Sequence, residues 1–318
     1  MSPKVSIIIP TYNRLDYLKK SVLCVLRQTY KDYELIISDN FSEDGTKSWG
    51  KEMAKKFSTI KYYRNEKNLG MVENWNSGLR HANGEYVSIL MSDDYWNKNF
   101  LKETVKVLEN KKNVGLVCVY ITSEYSSNIT ERKYSKNLFK LYDSDREIKG
   151  LNCIKQFLKE GWLVGNPSGI LARRRCFLEL GVFKEFVLDP EMWLRICSKF
   201  DFYYLDKNLA HWRIHKGSFS SENNNPILKS FRNYRIFDSI LSYEYSFDEL
   251  KKIIELRNIA VKRLRLELLN YFPEILRRKD LHIKDAISLY KLYNPVWKIY
   301  LDIFTVVVKH FTKKYLKQ

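Results

Sequence analysis

The chain has 318 residues, 45% of them hydrophobic and 14% aromatic, which supplies a substantial core and excludes global disorder. Its cysteines (Cys24, Cys118, Cys153, Cys176 and Cys197) are odd in number and form no Cys-x-x-Cys pair. That excludes a disulfide framework and a Cys-based zinc site and implies reduced thiols. The net charge of +18 implies attraction to polyanions: nucleic acid, an anionic membrane or phosphorylated ligands.

Met1 to Lys4 lead directly into a β-branched run, Val5–Ile9, with no apolar leader between them. Helical spacing follows over Leu15–Gln28, through Leu15, Leu18, Val22 and Leu26. Strands are predicted at Leu35–Ser38, Ile60–Tyr63, Tyr86–Leu90 and Val114–Ile121, and helices at Trp75–Ala82 and Leu101–Glu109. Continuous apolar strands alternating with helices predict a mostly parallel sheet covered on both faces. Thr122 to Lys149 reads as a long polar loop, and the pattern from Ile227 onward is helical. No run of about 18 apolar residues occurs, so no transmembrane helix is expected.

Ligands of such sheets bind outside the carboxyl ends of the strands. The residues to inspect are therefore Thr11-Tyr12-Asn13, Asp39-Asn40 and Ser92-Asp93-Asp94. There is no Gly-x-Gly-x-x-Gly after the first strand and no Gly-x-x-x-x-Gly-Lys-Ser/Thr anywhere, which disfavours a dinucleotide dehydrogenase or a P-loop ATPase. A divalent cation is the other way to hold a diphosphate, and Asp93 and Asp94 offer hard oxygen ligands suited to Mg²⁺ or Mn²⁺. An acidic pair at a strand end also reads as a solvated turn capping the next helix.

Two stretches, "VSIIIPTYNRLDYLKKSVLCVLRQTYKDYELIISDNFSEDGT" and "NLGMVENWNSGLRHANGEYVSILMSDD", resemble the inverting family 2 glycosyltransferases of GT-A fold, over about residues 4 to 220. The resemblance implies a Rossmann-like α/β domain at 1–225 and a nucleoside-diphosphate-sugar donor, a UDP-sugar in the first instance, while the helical pattern and charge of the remainder predict a basic helical region at 226–318. It places Pro10, Thr11, Tyr12, Asp39, Asn40, Asn68, Ser92 and Asp93 at the donor, with Asp93 binding Mn²⁺ or Mg²⁺. Met91 stands where the family commonly has a first aspartate, so Ser92 or a water is left to contact the ribose. Asn40 replaces a second aspartate and would meet a pyrimidine through its amide.

"FVLDPEMWLRIC" resembles the segment that supplies the family's catalytic base, which maps to Asp189 with Glu191 as the fallback. Asp189 before Pro190 is equally a helix N-cap, and a cap weakens a carboxylate as a base. Trp193 reads as core or as a sugar platform. "AHWRIHKGSFS" resembles the segment that closes the site, with His215 as a second metal ligand or a structural histidine. "GNPSGILARRR" is expected by the acceptor, and its Arg173–Arg175 run is either solvated or phosphate-facing.

From Pro226 to Gln318 there are 19 Lys and Arg against 10 Asp and Glu. Val296 to Leu316 places Trp297, Phe304 and Phe311 on one helical face and Lys298, Lys309 and Lys313 on another, which suits an anionic membrane surface or a core contact equally. The combined expectation is transfer of a sugar to a bacterial surface glycan or a lipid-linked acceptor at the cytoplasmic membrane face. The alternative is a basic nucleic-acid or membrane adaptor with a vestigial pocket, although no nucleic-acid-reading motif accompanies the charge.

Overall fold

The computed structural model describes residues 2–125, 141–160, 166–185, 188–215, 236–237, 239–243, 246 and 248–262. The stripe at Val296 to Leu316 lies outside them.

The first half alternates strand and helix: β1 (Val5–Thr11), α1 (Leu15–Leu26), β2 (Tyr33–Asp39), α2 (Thr46–Lys56), β3 (Ile60–Arg64), α3 (Met71–Arg80) and β4 (Tyr86–Ile89). A short β5 (Tyr95–Trp96) leads to α4 (Phe100–Asn110) and the long β6 (Val114–Tyr125). The second half has β7 (Arg146–Ile148), α5 (Gly150–Glu160), β8 (Ile170–Arg173), α6 (Arg174–Leu180), α7 (Leu188–Cys197) and β9 (Asp201–Ile214).

One sheet joins these strands in the order β3-β2-β1-β4-β8-β6-β9-β5, with β7 paired to β9. The pairs β3–β2, β2–β1 and β1–β4 are parallel, as is β6–β9. β8 runs antiparallel between β4 and β6. The predicted parallel sheet therefore holds for one half, and the other half is mixed. All four residues of β8 are buried, and a short buried run does not encode pairing direction. The polar loop expected over Thr122–Lys149 is instead strand at both ends, as β6 up to Tyr125 and as β7; residues 126–140 between them lie outside the described set.

Alternate residues of β1 feed opposite faces. Ile8 packs with α3, α5 and α7, whereas Ile7 and Ile9 pack with α1 and α4. Each fully buried Ile or Leu contributes about 1.5–3 kcal/mol, so a sheet covered on both sides is strongly held. Ile236, Phe237, Ile240, Ile253, Leu256, Ala260 and Val261 join the α3/α5/α7 side.

Register sets the site. Thr11 pairs with Asp39, and Ile8 pairs with both Ile36 and Ile89, so β1, β2 and β4 end at one edge of the sheet. The chain leaves that edge as Tyr12, Asn40 and the Met91–Asp94 turn. Among the described residues no helix is long and apolar enough to cross a membrane.

Candidate active site

The Met91–Asp94 turn is gripped from both sides. The Ser21 hydroxyl of α1 lies 2.7 Å from the carbonyls of Ser92 and Asp94. The Met91 amide donates to Ser168 Oγ at 3.1 Å, and Arg213 Nη1 donates to the Asp93 carbonyl at 2.9 Å.

The two aspartates then diverge. Asp94 is fully buried and accepts from the Ser168 hydroxyl, the Asn166 amide and the Arg213 backbone N–H. Burial, with the charge of Asp93 beside it, pushes the Asp94 carboxyl up to about 8. It is a strut. Asp93 keeps a 9% exposed edge, and its Oδ2 meets Arg14 Nη1 at 2.5 Å and His215 Nε2 at 3.0 Å. The His215 ring stacks on Tyr17 with centroids 4.5 Å apart. The carboxylate and imidazole expected as metal ligands are thus adjacent. A carboxylate oxygen beside an imidazole nitrogen offers two ligands of an incomplete set, suited to Mn²⁺ better than to Mg²⁺, and the Arg14 guanidinium on the same oxygen would share it with a metal or be displaced. No third His, Cys, Asp or Glu completes a metal cluster among the described residues.

The expected donor residues divide by exposure. Pro10 and Thr11 are buried in β1, and the Thr11 hydroxyl has no protein partner. Asp39 is wholly buried, accepting from the Ser42 amide, the Tyr62 hydroxyl and Arg64 Nη1. Asn40 donates to Asn68 and to the Gly70 carbonyl, and accepts from Asn65 and the Leu69 amide. Its amide is saturated, so the expected pyrimidine contact gives way to a structural one that fixes the 65–70 turn. Asn68 serves the same turn, accepting from the Gly70 amide at 2.9 Å. Ser92, expected at the ribose, is 4% exposed.

Two aromatic residues face solvent at this edge, alongside the exposed Asn13 and Asn68. Tyr12 is 45% exposed and Phe41 is 37% exposed, with the Arg64 guanidinium 4.4 Å from the Phe41 centroid. Phe41 has φ +71°, a left-handed conformation rare for a bulky side chain and costing on the order of 1–2 kcal/mol. Sequence reasoning missed it. The available signal was an aromatic directly after Asp39-Asn40 at the strand end.

On the other side, α7 begins at Leu188, so half-buried Asp189 stands in its first turn, where the Trp193 indole N–H donates to Oδ2 at 3.4 Å. Trp193 is 2% exposed and packs edge-on to Phe177 and Phe183, so it is core and not a sugar platform. Glu191 cannot serve as the fallback base. It is 0% exposed and bonded to Lys184, Arg195, Ser239 and Tyr243. Arg173 is likewise neither solvated nor phosphate-facing, because its buried guanidinium donates to the carbonyls of Leu108, Lys111 and Val114.

Residues 6–175 match the family model for glycosyl transferase family 2, more than half of the chain. This chain belongs to glycosyl transferase family 2. Among similar proteins is a GalNAc(5)-diNAcBac-PP-undecaprenol β-1,3-glucosyltransferase of Campylobacter jejuni, 28% identical over 98% of this chain and 89% of that protein. An uncharacterised glycosyltransferase of Methanocaldococcus jannaschii is 30% identical over 67% of this chain and 71% of that protein. Staphylococcus aureus TarS 1–349, solved in complex with UDP-GlcNAc, superposes with TM-score 0.67 at 20% identity, covering 90% of this chain and 79% of that one. The mannosyltransferase PcManGT of Pyrobaculum calidifontis, solved with GDP-Man and Mn²⁺, gives TM-score 0.58 at 17% identity over 100% of this chain and 88% of that one. The GT-A architecture expected from the sequence is thereby shared with solved glycosyltransferases, and the chain is an enzyme of glycosyl transfer.

Proposed function

We propose that this glycosyltransferase moves one sugar, with inversion, from a UDP-sugar to a hydroxyl of a bacterial surface glycan or a lipid-linked oligosaccharide. The observation that carries the reading is the common edge of β1, β2 and β4. There the exposed rings of Tyr12 and Phe41 stand on the same rim as the Asp93–His215 pair. A base lying against the rings would direct its diphosphate toward that pair. The similarity to a glucosyltransferase named for an undecaprenol-diphosphate acceptor supports the lipid-linked class.

In this scheme Asp93 and His215 would hold Mn²⁺ or Mg²⁺, which when bound neutralises the diphosphate and so eases its departure. Arg14, already on Asp93, adds a guanidinium at the same oxygen. The Asp189 carboxylate would accept the proton of the acceptor hydroxyl as that oxygen attacks the anomeric carbon. The bond from that carbon to the diphosphate oxygen breaks, and the nucleoside diphosphate leaves. The boundary between the catalytic domain at 1–225 and a basic region at 226–318 belongs to the same proposal. So does a cytoplasmic, peripheral placement in which the C-terminal basic region meets anionic lipid. The nucleic-acid adaptor reading is not favoured, given the family.

Thermal-shift screening of sugar nucleotides with Mn²⁺, followed by transfer to a lipid-diphosphate oligosaccharide, tests the reading. A UDP-sugar that raises Tm and is consumed only when acceptor is present is the expected result. Indifference to every sugar nucleotide would overturn it.

A further inference from the structure

Behind the Asp93 turn, between α1, β5 and the end of β9, lies a groove of about 560 Å³. Its cations are Lys20 from α1, Arg27 at the C-cap of α1, Lys98 after β5, and Arg213 from β9, and its one carboxylate is Glu124. Among the described residues no carboxylate pairs with Lys20, Arg27 or Lys98, all of which are exposed. Four cations facing one anion around a concave surface focus a positive potential, and among the described residues no ion pair offsets Lys20, Arg27 or Lys98.

The groove is not built to stack a sugar. Of its two aromatic lining residues, Tyr95 has His211 stacked on it at 4.5 Å and the Arg213 guanidinium 5.1 Å from its centroid, and Trp96 is buried and stacked on Phe100. Recognition is left to the cations and to the exposed Leu23 side chain. The groove also touches the reaction centre, because Arg213 both lines it and donates to the Asp93 carbonyl. Tyr17, stacked on His215, carries Arg213 at 5.5 Å and Lys20 at 5.8 Å from its ring centroid.

None of the residues expected at the donor lines the groove, so the groove suits a second anion. We propose that it seats a phosphate or diphosphate group carried by the acceptor. The inference rests on the glycosyltransferase reading for the word acceptor, whereas the anion site rests on the groove alone. A polyprenyl diphosphate and a polyol-phosphate chain share this chemistry. Lys20 and Arg27 would clamp the phosphate oxygens while the acceptor hydroxyl reaches over the turn to the donor.

Calorimetric titration of the full chain in EDTA with pyrophosphate, farnesyl diphosphate and glycerol 3-phosphate tests it. Lys20→Gln/Arg27→Gln is expected to weaken pyrophosphate at least tenfold while sugar-nucleotide binding with Mn²⁺ stays unchanged. Farnesyl diphosphate binding more tightly than glycerol 3-phosphate would assign a lipid diphosphate, and the reverse a polyol phosphate. Pyrophosphate binding equally to wild type and variant overturns the site, as does a variant that loses the sugar nucleotide as well. If no sugar nucleotide binds to either protein, the donor reading fails while the pyrophosphate comparison still decides the groove.

Discussion

His215 Nε2 lies 3.0 Å from Asp93 Oδ2, although 122 positions separate the two residues in the chain. β9 delivers the histidine by running parallel to β6 and ending beside the turn after β4, and Tyr17 of α1 fixes its ring plane. Arg14 holds the same carboxylate oxygen. If this pair binds the metal, Asp93→Asn and His215→Ala should each weaken Mn²⁺ at least tenfold in a titration with UDP present, while the circular dichroism spectrum is retained. Full transfer activity in EDTA would remove the metal from the scheme.

Asp189 offers a separate test. Asp189→Asn should lower turnover by about a hundredfold or more, the usual scale for loss of a general base, with donor affinity intact. A variant that turns over normally but melts earlier, by about 1 kcal/mol of lost stability, would make Asp189 a helix-terminal stabiliser instead.

Glu191 should behave in the opposite way. Its carboxylate ties α7 to Ser239 and Tyr243, and Glu191→Ala leaves the buried Arg195 guanidinium without its carboxylate. Loss of one partner of a buried pair costs about 3–5 kcal/mol, read as a lower urea midpoint. Preserved stability with abolished turnover would restore Glu191 as the base.

Phe41 is expected to be felt in binding rather than in folding. Phe41→Gly relaxes the left-handed backbone but loses the Arg64–ring contact, so the two changes roughly offset. A stacked base is worth about 1–3 kcal/mol, which predicts UDP binding weakened about tenfold or more by calorimetry with Tm nearly unchanged. Unchanged UDP affinity would exclude the ring from the donor site.

Glu34 gives the pH test. Burial pushes its carboxyl up, but Lys61, the Ser6 hydroxyl and the Asn83 amide outweigh that and hold it below the usual 4.5. A depressed folded value adds stability that is present above the unfolded value and is lost as pH falls through the folded one. Wild type should therefore exceed Glu34→Gln in urea stability at pH 7, and the gap should close below about pH 4.5. A gap that stays constant down to pH 3 would contradict this.

Up to β6 the strand–helix order was legible except for α2 and the short β5, because most early strands are buried apolar runs and α1, α3 and α4 each carry an apolar stripe, patterns set by local periodicity. The acidic turn after β4 was legible for the same reason: polar residues that end a buried strand must lie at the sheet edge. Periodicity has no term for partner choice, so the antiparallel β8 and the long β9 went unread, and with β9 the element that carries His215 to Asp93. Nor could sequence separate Asp93 from Asp94, or show Glu191 and Asn40 saturated by neighbours, because residue type alone does not state which hydrogen bonds are already made. The acidic, aromatic and basic residue types needed for the chemistry are local information. Which of them remain free to meet a ligand was decided by packing between segments far apart in the chain, since burial and partnering exist only once those segments meet.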